Sequence, residues 1–173
     1  MGHHKDLEIA LIAAVEAGDR IMEVYNSNEE INYEEKIDHS PLTIADKKSH
    51  ETIVNHLQKT DIKIISEESK TIYFDERRNW DIYWLVDPLD GTKEFIKKNG
   101  EFTVNIALIK NNKPCLGIVY CPVIKVLYWN DEHMIVYKKT NSKTQIIEKR
   151  KPVNEKPNDR SEKIIQDFIK NFS

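Results

Sequence analysis

Asp87 and Asp90 stand three residues apart in the segment Asp87-Pro88-Leu89-Asp90-Gly91-Thr92, a spacing that brings hard oxygen donors to one point. Pro88 fixes its own φ and offers no N–H, so the turn is stiff and both carboxylates can face the same place. Leu89 between them can add its backbone carbonyl. A helix beginning at Gly91-Thr92 would turn its free N–H groups toward an anion. Oxygen donors beside an anion cradle suit Mg²⁺, which keeps several waters and shares its coordination with a substrate phosphate. Glu67 closes a different predicted strand and can join the same cluster. No His or Cys stands at zinc spacing, so a zinc site is not expected.

Each of these residues also has a plainer reading. Asp-Pro and Asp-Gly are ordinary turn formers. Taken alone, Glu67-Glu68 reads as a solvated acidic turn, Asp46 as a surface helix residue and Thr92 as an N-cap. The continuous apolar run Ile82-Tyr83-Trp84-Leu85-Val86 decides for the cation, because a strand buried to its end seldom finishes in two carboxylates without one. His39, His50, His56 and His133 show no partner pattern and read as surface or satisfied side chains. Lys93 and Lys97 lie near the proposed site, but the lysine pairs read as solvated faces.

The elements that must position this cluster follow from periodicity. Leu7, Leu11, Ala14, Gly18, Ile21 and Tyr25 recur at three and four, which predicts a helix over residues 5–26. A short extended piece follows at 31–37. Ser40-Pro41 is read as the start of a second helix, since Pro is tolerated in a first turn, and that helix ends near Thr60. Strands are predicted at 62–65, 82–86, 102–109, 115–120, 126–129 and 134–137. Two helices followed by a run of strands point to an α+β fold, with helices layered on one face of a largely antiparallel sheet. From Lys138 to Arg160 the composition is that of a charged linker. Ile164, Ile165, Phe168, Ile169 and Phe172 then form a final apolar stripe at helical spacing. Its exposure would predict self-association through Ile164, Phe168 and Phe172.

The chain has 173 residues, with 26 Lys+Arg against 29 Asp+Glu and a net charge of −3. That balance excludes a strongly basic binder of nucleic acid polymers. Hydrophobic residues at 39% suffice for a core and argue against a disordered chain. No stretch reaches the ~20 apolar residues of a membrane span, and without a basic start followed by an apolar run no secretory signal is expected. With only Cys115 and Cys121, a reduced cytoplasmic protein is expected.

Asp87-Pro88-Leu89-Asp90-Gly91-Thr92 resembles the metal-binding signature of the inositol monophosphatase-like, lithium-sensitive phosphatase superfamily. Lys93-Glu94-Phe95 and the run Gly100-Glu101-Phe102-Thr103-Val104-Asn105 look like its 3′(2′),5′-bisphosphate nucleotidase branch. So do Ser40-Pro41-Leu42-Thr43-Ile44-Ala45-Asp46 and Ser66-Glu67-Glu68. The resemblance implies the N-terminal domain of that fold and a Mg²⁺-dependent hydrolase. It would remove the 3′-phosphate of adenosine 3′,5′-bisphosphate, with 3′-phosphoadenosine 5′-phosphosulfate as a further substrate. It also implies roles. Glu67, Asp87, Asp90 and the Leu89 carbonyl would hold Mg²⁺. Asp46, Thr92 and Glu67 would orient and activate the attacking water. The Gly91 and Thr92 backbone would receive the phosphate.

Phosphate monoesters hydrolyse exceptionally slowly without a catalyst. A cation that lowers the pKa of water and neutralises transition-state charge is therefore the expected device. Family members continue into a second α/β domain carrying a Trp-Asp-x-Ala-x-Gly motif, and none of Trp80, Trp84 and Trp129 lies in one. The expectation is thus a metal- and phosphate-binding domain over residues 1–137. Residues 138–173 would be a linker and short helix at the start of a second domain cut short. Two alternatives stay open: an impaired fragment that binds metal or phosphate, and an inositol or other sugar phosphatase.

Overall fold

The apolar residues spaced by three and four near the start form α1 (His4–Tyr25). It buries Leu7, Ala10, Ala14, Ala17 and Ile21. Small residues let this helix approach the sheet closely: a Cβ on Gly18 would stand 2.4 Å from the Tyr120 ring. The computed structural model describes residues 3–27, 30–36, 38–70, 72–131, 133–140 and 143–149.

After α1 come β1 (Tyr33–Glu35) and β2 (Pro41–Thr43), paired antiparallel. Pro41 therefore lies in a strand and not in the first helical turn. The second helix, α2 (Ile44–Leu57), starts three residues later because Thr43 and Asp46 form a reciprocal capping box. One turn of 3-10 helix carries it to Thr60. The remaining elements are β3 (Lys63–Ser66), α3 (Phe74–Arg77), β4 (Ile82–Asp90), α4 (Thr92–Ile96), β5 (Thr103–Lys110), β6 (Lys113–Cys121), β7 (Val126–Asn130), β8 (Ile135–Thr140) and β9 (Lys143–Lys149).

Strands β3 to β9 form one sheet in sequence order. Only the β3–β4 pair is parallel; the rest are antiparallel. Helices α1 and α2 pack on each other and on β4, β5 and β6, around Trp84, Val86, Leu89, Val104, Ile106 and Ile118. The expected α+β layering is thus present. On the opposite face a smaller cluster of Ile65, Leu85 and Ile109 packs with Trp80 and Tyr83. Strand β4 is accordingly covered on both faces, as its unbroken apolar run requires.

Two expectations need correction. The domain boundary at residues 137/138 falls inside β8. Lys143–Lys149, read as linker from its charge, is strand β9, because its backbone pairs along β8 whatever its side chains. The stripe from Ile164 to Phe172 lies outside the described residues. Among those described, no helix is long and apolar enough to cross a membrane.

Candidate active site

Strand β4 does not stop at Val86 but continues through Asp90. Asp87 pairs with Asn105 of β5 and Asp90 with Thr103. Three steps on β4 thus answer two on β5, a one-residue bulge. The bulge fits the Asp-Pro-Leu-Asp segment, since Pro88 cannot donate to a ladder. Its carbonyl instead accepts from the buried Ser49 hydroxyl of α2 at 2.7 Å. On the other side β3 ends at Ser66, level with Val86, and the Glu67 N–H extends that ladder to the Val86 carbonyl at 3.0 Å. Glu67, just past the end of β3, and Asp87 and Asp90, at the end of β4, therefore come to the same end of two adjacent strands.

Asp87 is the most perturbed of them. Burial, then the negative charges of Glu67 and Asp90, push its carboxyl up to about 9. Its Oδ1 is buried with no hydrogen-bond partner. A buried carboxyl oxygen without a donor, surrounded by like charge, is stabilised by either a proton or a cation.

The neighbouring carboxylates are turned to substitutes. Glu67 and Glu68 accept from the Lys36 ammonium at 3.0 and 2.6 Å. Asp90 accepts from the Asn105 amide at 3.0 Å. Among the described residues, no three His, Cys, Asp or Glu side chains already stand in a metal-binding arrangement. Burial disfavours the Lys36 charge, but its bonds to Glu68 and Glu67 outweigh this and its pKa is raised. Burial likewise raises Glu68 against the pull of Lys36.

Asp46 is buried at the start of α2. Its Oδ2 accepts from the Thr43 N–H at 2.8 Å and the Thr43 hydroxyl at 2.6 Å, which is capping. Its Oδ1 reaches across the fold to the Thr92 hydroxyl at 3.1 Å, which capping does not require. Burial raises its pKa, opposed by the bonds from Thr43 and Thr92. Thr92 Oγ1 also stands 3.1 Å from the Leu89 carbonyl. Its one hydrogen goes to the better acceptor, the Asp46 carboxylate.

Gly91 joins β4 to α4 with φ at 93°, and a Cβ there would lie 2.8 Å from the Glu101 carbonyl. Gly91→Ala is expected to destabilise the chain by about 2 kcal/mol, read as a lower thermal midpoint; an unchanged midpoint would show that the turn relaxes freely.

The structure thus links Asp46, Thr92 and Leu89 by hydrogen bonds. Glu67, Asp87 and Asp90 are brought together as neighbours on adjacent strands. Residues passed over in sequence also serve the site. Lys36 and Asn105 had no local signal, being 31 and 15 residues from their partners. Glu68, read as solvated, is mostly buried, with a side chain 9% exposed. Outside the site, His50 is a satisfied side chain as expected, its ring meeting Ser66 Oγ at 2.8 Å.

The model of the inositol monophosphatase family matches residues 3–170. The 3′(2′),5′-bisphosphate nucleotidase CysQ of Salmonella typhimurium is 52% identical over 128 residues, covering 73% of this chain and 52% of that protein. CysQ of Buchnera aphidicola is 48% identical over 134 residues, covering 72% and 50%. The chain therefore spans about half the length of the curated relatives it matches. Among solved structures, CysQ from Bacteroides thetaiotaomicron superposes with TM-score 0.68 at 40% identity, covering 94% of this chain and 68% of that one. The Thermotoga maritima IMPase shares the fold, with TM-score 0.66.

Proposed function

Starting from a chain that belongs to the inositol monophosphatase family, we propose that it is a Mg²⁺-dependent phosphatase. Its substrate on this reading is adenosine 3′,5′-bisphosphate, which loses its 3′-phosphate; 3′-phosphoadenosine 5′-phosphosulfate shares the same reacting group. The observation that carries the reading is the buried, unpartnered Asp87 oxygen beside Glu67 and Asp90, next to the Asp46–Thr92 hydrogen bond. Similarity to nucleotidases named CysQ supports a bisphosphate nucleotide over an inositol phosphate. A cytoplasmic location accords with such a substrate.

The donors present fit a hard divalent cation. Glu67, Asp87, Asp90 and the Leu89 carbonyl would hold it. When bound, Mg²⁺ lowers the pKa of water and neutralises charge on the phosphate in the transition state.

The chain's own residues do the rest. The Asp46 carboxylate takes the Thr92 hydrogen and so leaves the lone pairs of Thr92 Oγ1 free to accept from the attacking water. Glu67 accepts the second hydrogen of that water. Fixed this way, the water's oxygen is aimed at phosphorus, and the gain is one of orientation and proton acceptance. The N–H groups of Gly91 and Thr92 would receive the incoming phosphate. None of these side chains is an activated nucleophile, so the phosphoryl group passes directly to water.

Phosphate release with Mg²⁺ should be measured on adenosine 3′,5′-bisphosphate and on inositol 1-phosphate in parallel. Release from the nucleotide at least roughly tenfold faster, and lost in Asp90→Asn, is the expected result. Faster release from inositol phosphate would make the chain a sugar phosphatase. Binding of Mg²⁺ and nucleotide without any release would leave it a binding module.

A further inference from the structure

Residues three apart on a regular strand face opposite sides of the sheet, so Asp87 and Asp90 would be divided by it. They are not. Asp87 is paired with Asn105 and Asp90 with Thr103, and those two β5 residues, two apart, share a face. The bulge in β4 therefore turns both carboxylates to the side on which Asn105 and Thr103 stand. Strand β5 fixes that side: it lies between β4 and β6, and Val104 and Ile106, on either side of Asn105, are buried in the core.

Asn105 joins the two ends of the bulge. Its backbone is level with Asp87, and its side-chain amide donates to Asp90 Oδ2 at 3.0 Å. A carboxylate only accepts, so the amide presents Nδ2 to it and Oδ1 to the other side. There the Thr103 hydroxyl donates to Oδ1 at 3.1 Å. The contact differs in kind from the one at Glu67. The Lys36 ammonium, 3.0 Å from Glu67, would repel an arriving cation, whereas the Asn105 amide is neutral. Its hold on Asp90 can persist with a cation in place.

We propose that Asn105 sets the size selectivity of the cation site, by leaving Asp90 one oxygen to give and not both. The inference rests on the metal-site reading above and deepens it. Ca²⁺ takes about six to eight oxygens in flexible geometry and accepts a carboxylate through both of its oxygens. Mg²⁺ is smaller and demands a near-ideal octahedron, which the narrow bite of a two-oxygen carboxylate does not fit. With Oδ2 tied to β5, Asp90 offers Oδ1 alone. That suits Mg²⁺ and withholds from Ca²⁺ the second oxygen it can use. Without the amide, the carboxylate turns and both oxygens can reach the cation. Hydrogen bonds to a ligating carboxylate act in this way, by fixing the orientation in which the ligand meets the metal.

The test is calorimetric titration of Mg²⁺ and, separately, Ca²⁺ into the native chain, Asn105→Ala and Asp90→Asn. In Asn105→Ala the Mg²⁺ affinity should fall roughly tenfold while the Ca²⁺ affinity holds or rises, so their ratio drops by roughly tenfold or more. Partial unfolding lowers both apparent affinities by the same factor. The ratio therefore reports on Asp90 and not on the stability of the strand. Thr103→Val removes the hydroxyl behind the amide and keeps a good strand residue. It should shift the ratio the same way by a smaller factor, and it carries the test should Asn105→Ala fail to fold. An unchanged or increased ratio, with Mg²⁺ binding that Asp90→Asn weakens, overturns the role of Asn105 and keeps the cation site. A native chain that binds neither cation, or binding that Asp90→Asn leaves untouched, overturns both.

Discussion

Asp87→Asn is expected to raise the thermal midpoint of the metal-free chain at neutral pH by about 4–8 °C and to abolish its stabilisation by Mg²⁺. The sign follows from linkage. Asp87 has a pKa of about 9 in the folded chain against an ordinary 3.8, so between those values the folded state holds a proton that the unfolded state has released. The contribution of Asp87 to stability is then full below about pH 4 and is lost as pH rises toward 9. Water reaching the Glu67 side and adjustment of Lys36 reduce the effect, and about 2 kcal/mol is expected. For a chain of this size that corresponds to about 4–8 °C. Asn carries no charge into the site, so the variant loses this pH slope. It also loses a cation ligand, so Mg²⁺ no longer shifts its midpoint. Melting both proteins across the pH range with and without Mg²⁺ checks this. A variant less stable than the native chain when metal-free would mean that Asp87 is held by donors and not strained.

Asp46→Asn is expected to keep the fold and lose phosphate release by about 10²–10⁴-fold. The amide oxygen can take the place of Oδ2 and accept from the Thr43 N–H and hydroxyl, at 2.8 and 2.6 Å in the native chain. The amide nitrogen then faces Thr92 where Oδ1 stood. The Thr92 hydroxyl reverses: it accepts from the amide and donates to the Leu89 carbonyl, already at 3.1 Å. Every buried group stays paired, so stability changes by less than about 1 kcal/mol. What disappears is the acceptor that holds the Thr92 lone pairs toward water. Asp46→Ala is a useful contrast. It strips acceptors from the Thr43 N–H and both hydroxyls, and should cost about 3 kcal/mol. Equal loss of stability in the two variants would reduce Asp46 to a helix cap, and undiminished phosphate release in Asp46→Asn would remove it from the reaction.

These contrasts separate what could be read in the sequence from what could not. The run Ile82–Val86 announced a strand buried on both faces because it lacks a polar alternation, and β4 is such a strand. The proximity of Asp87 and Asp90 followed from their spacing, and that of Glu67 from ending a neighbouring strand. Long-range partners were invisible. Nothing local connects Lys36 to Glu67 or Asn105 to Asp90, since each pair is made by strand order and register. Pro41 masks the Thr43 cap, because Pro suits the first turn of a helix and is equally at home in the short edge strand it occupies here. Strand β9 was hidden for a different reason. Lys143–Lys149 mixes charge with Ile146 and Ile147, and a backbone ladder to β8 outweighs a polar composition.

The most direct test of the cation site is calorimetric titration of Mg²⁺ into the native chain, Asp87→Asn and Asp90→Asn. Saturable binding to the native chain, weakened by roughly tenfold or more in each variant (about 1.4 kcal/mol), is the predicted result. Equal affinity in all three, or no binding to the native chain at concentrations where the Lys36 contact can be displaced, would contradict it.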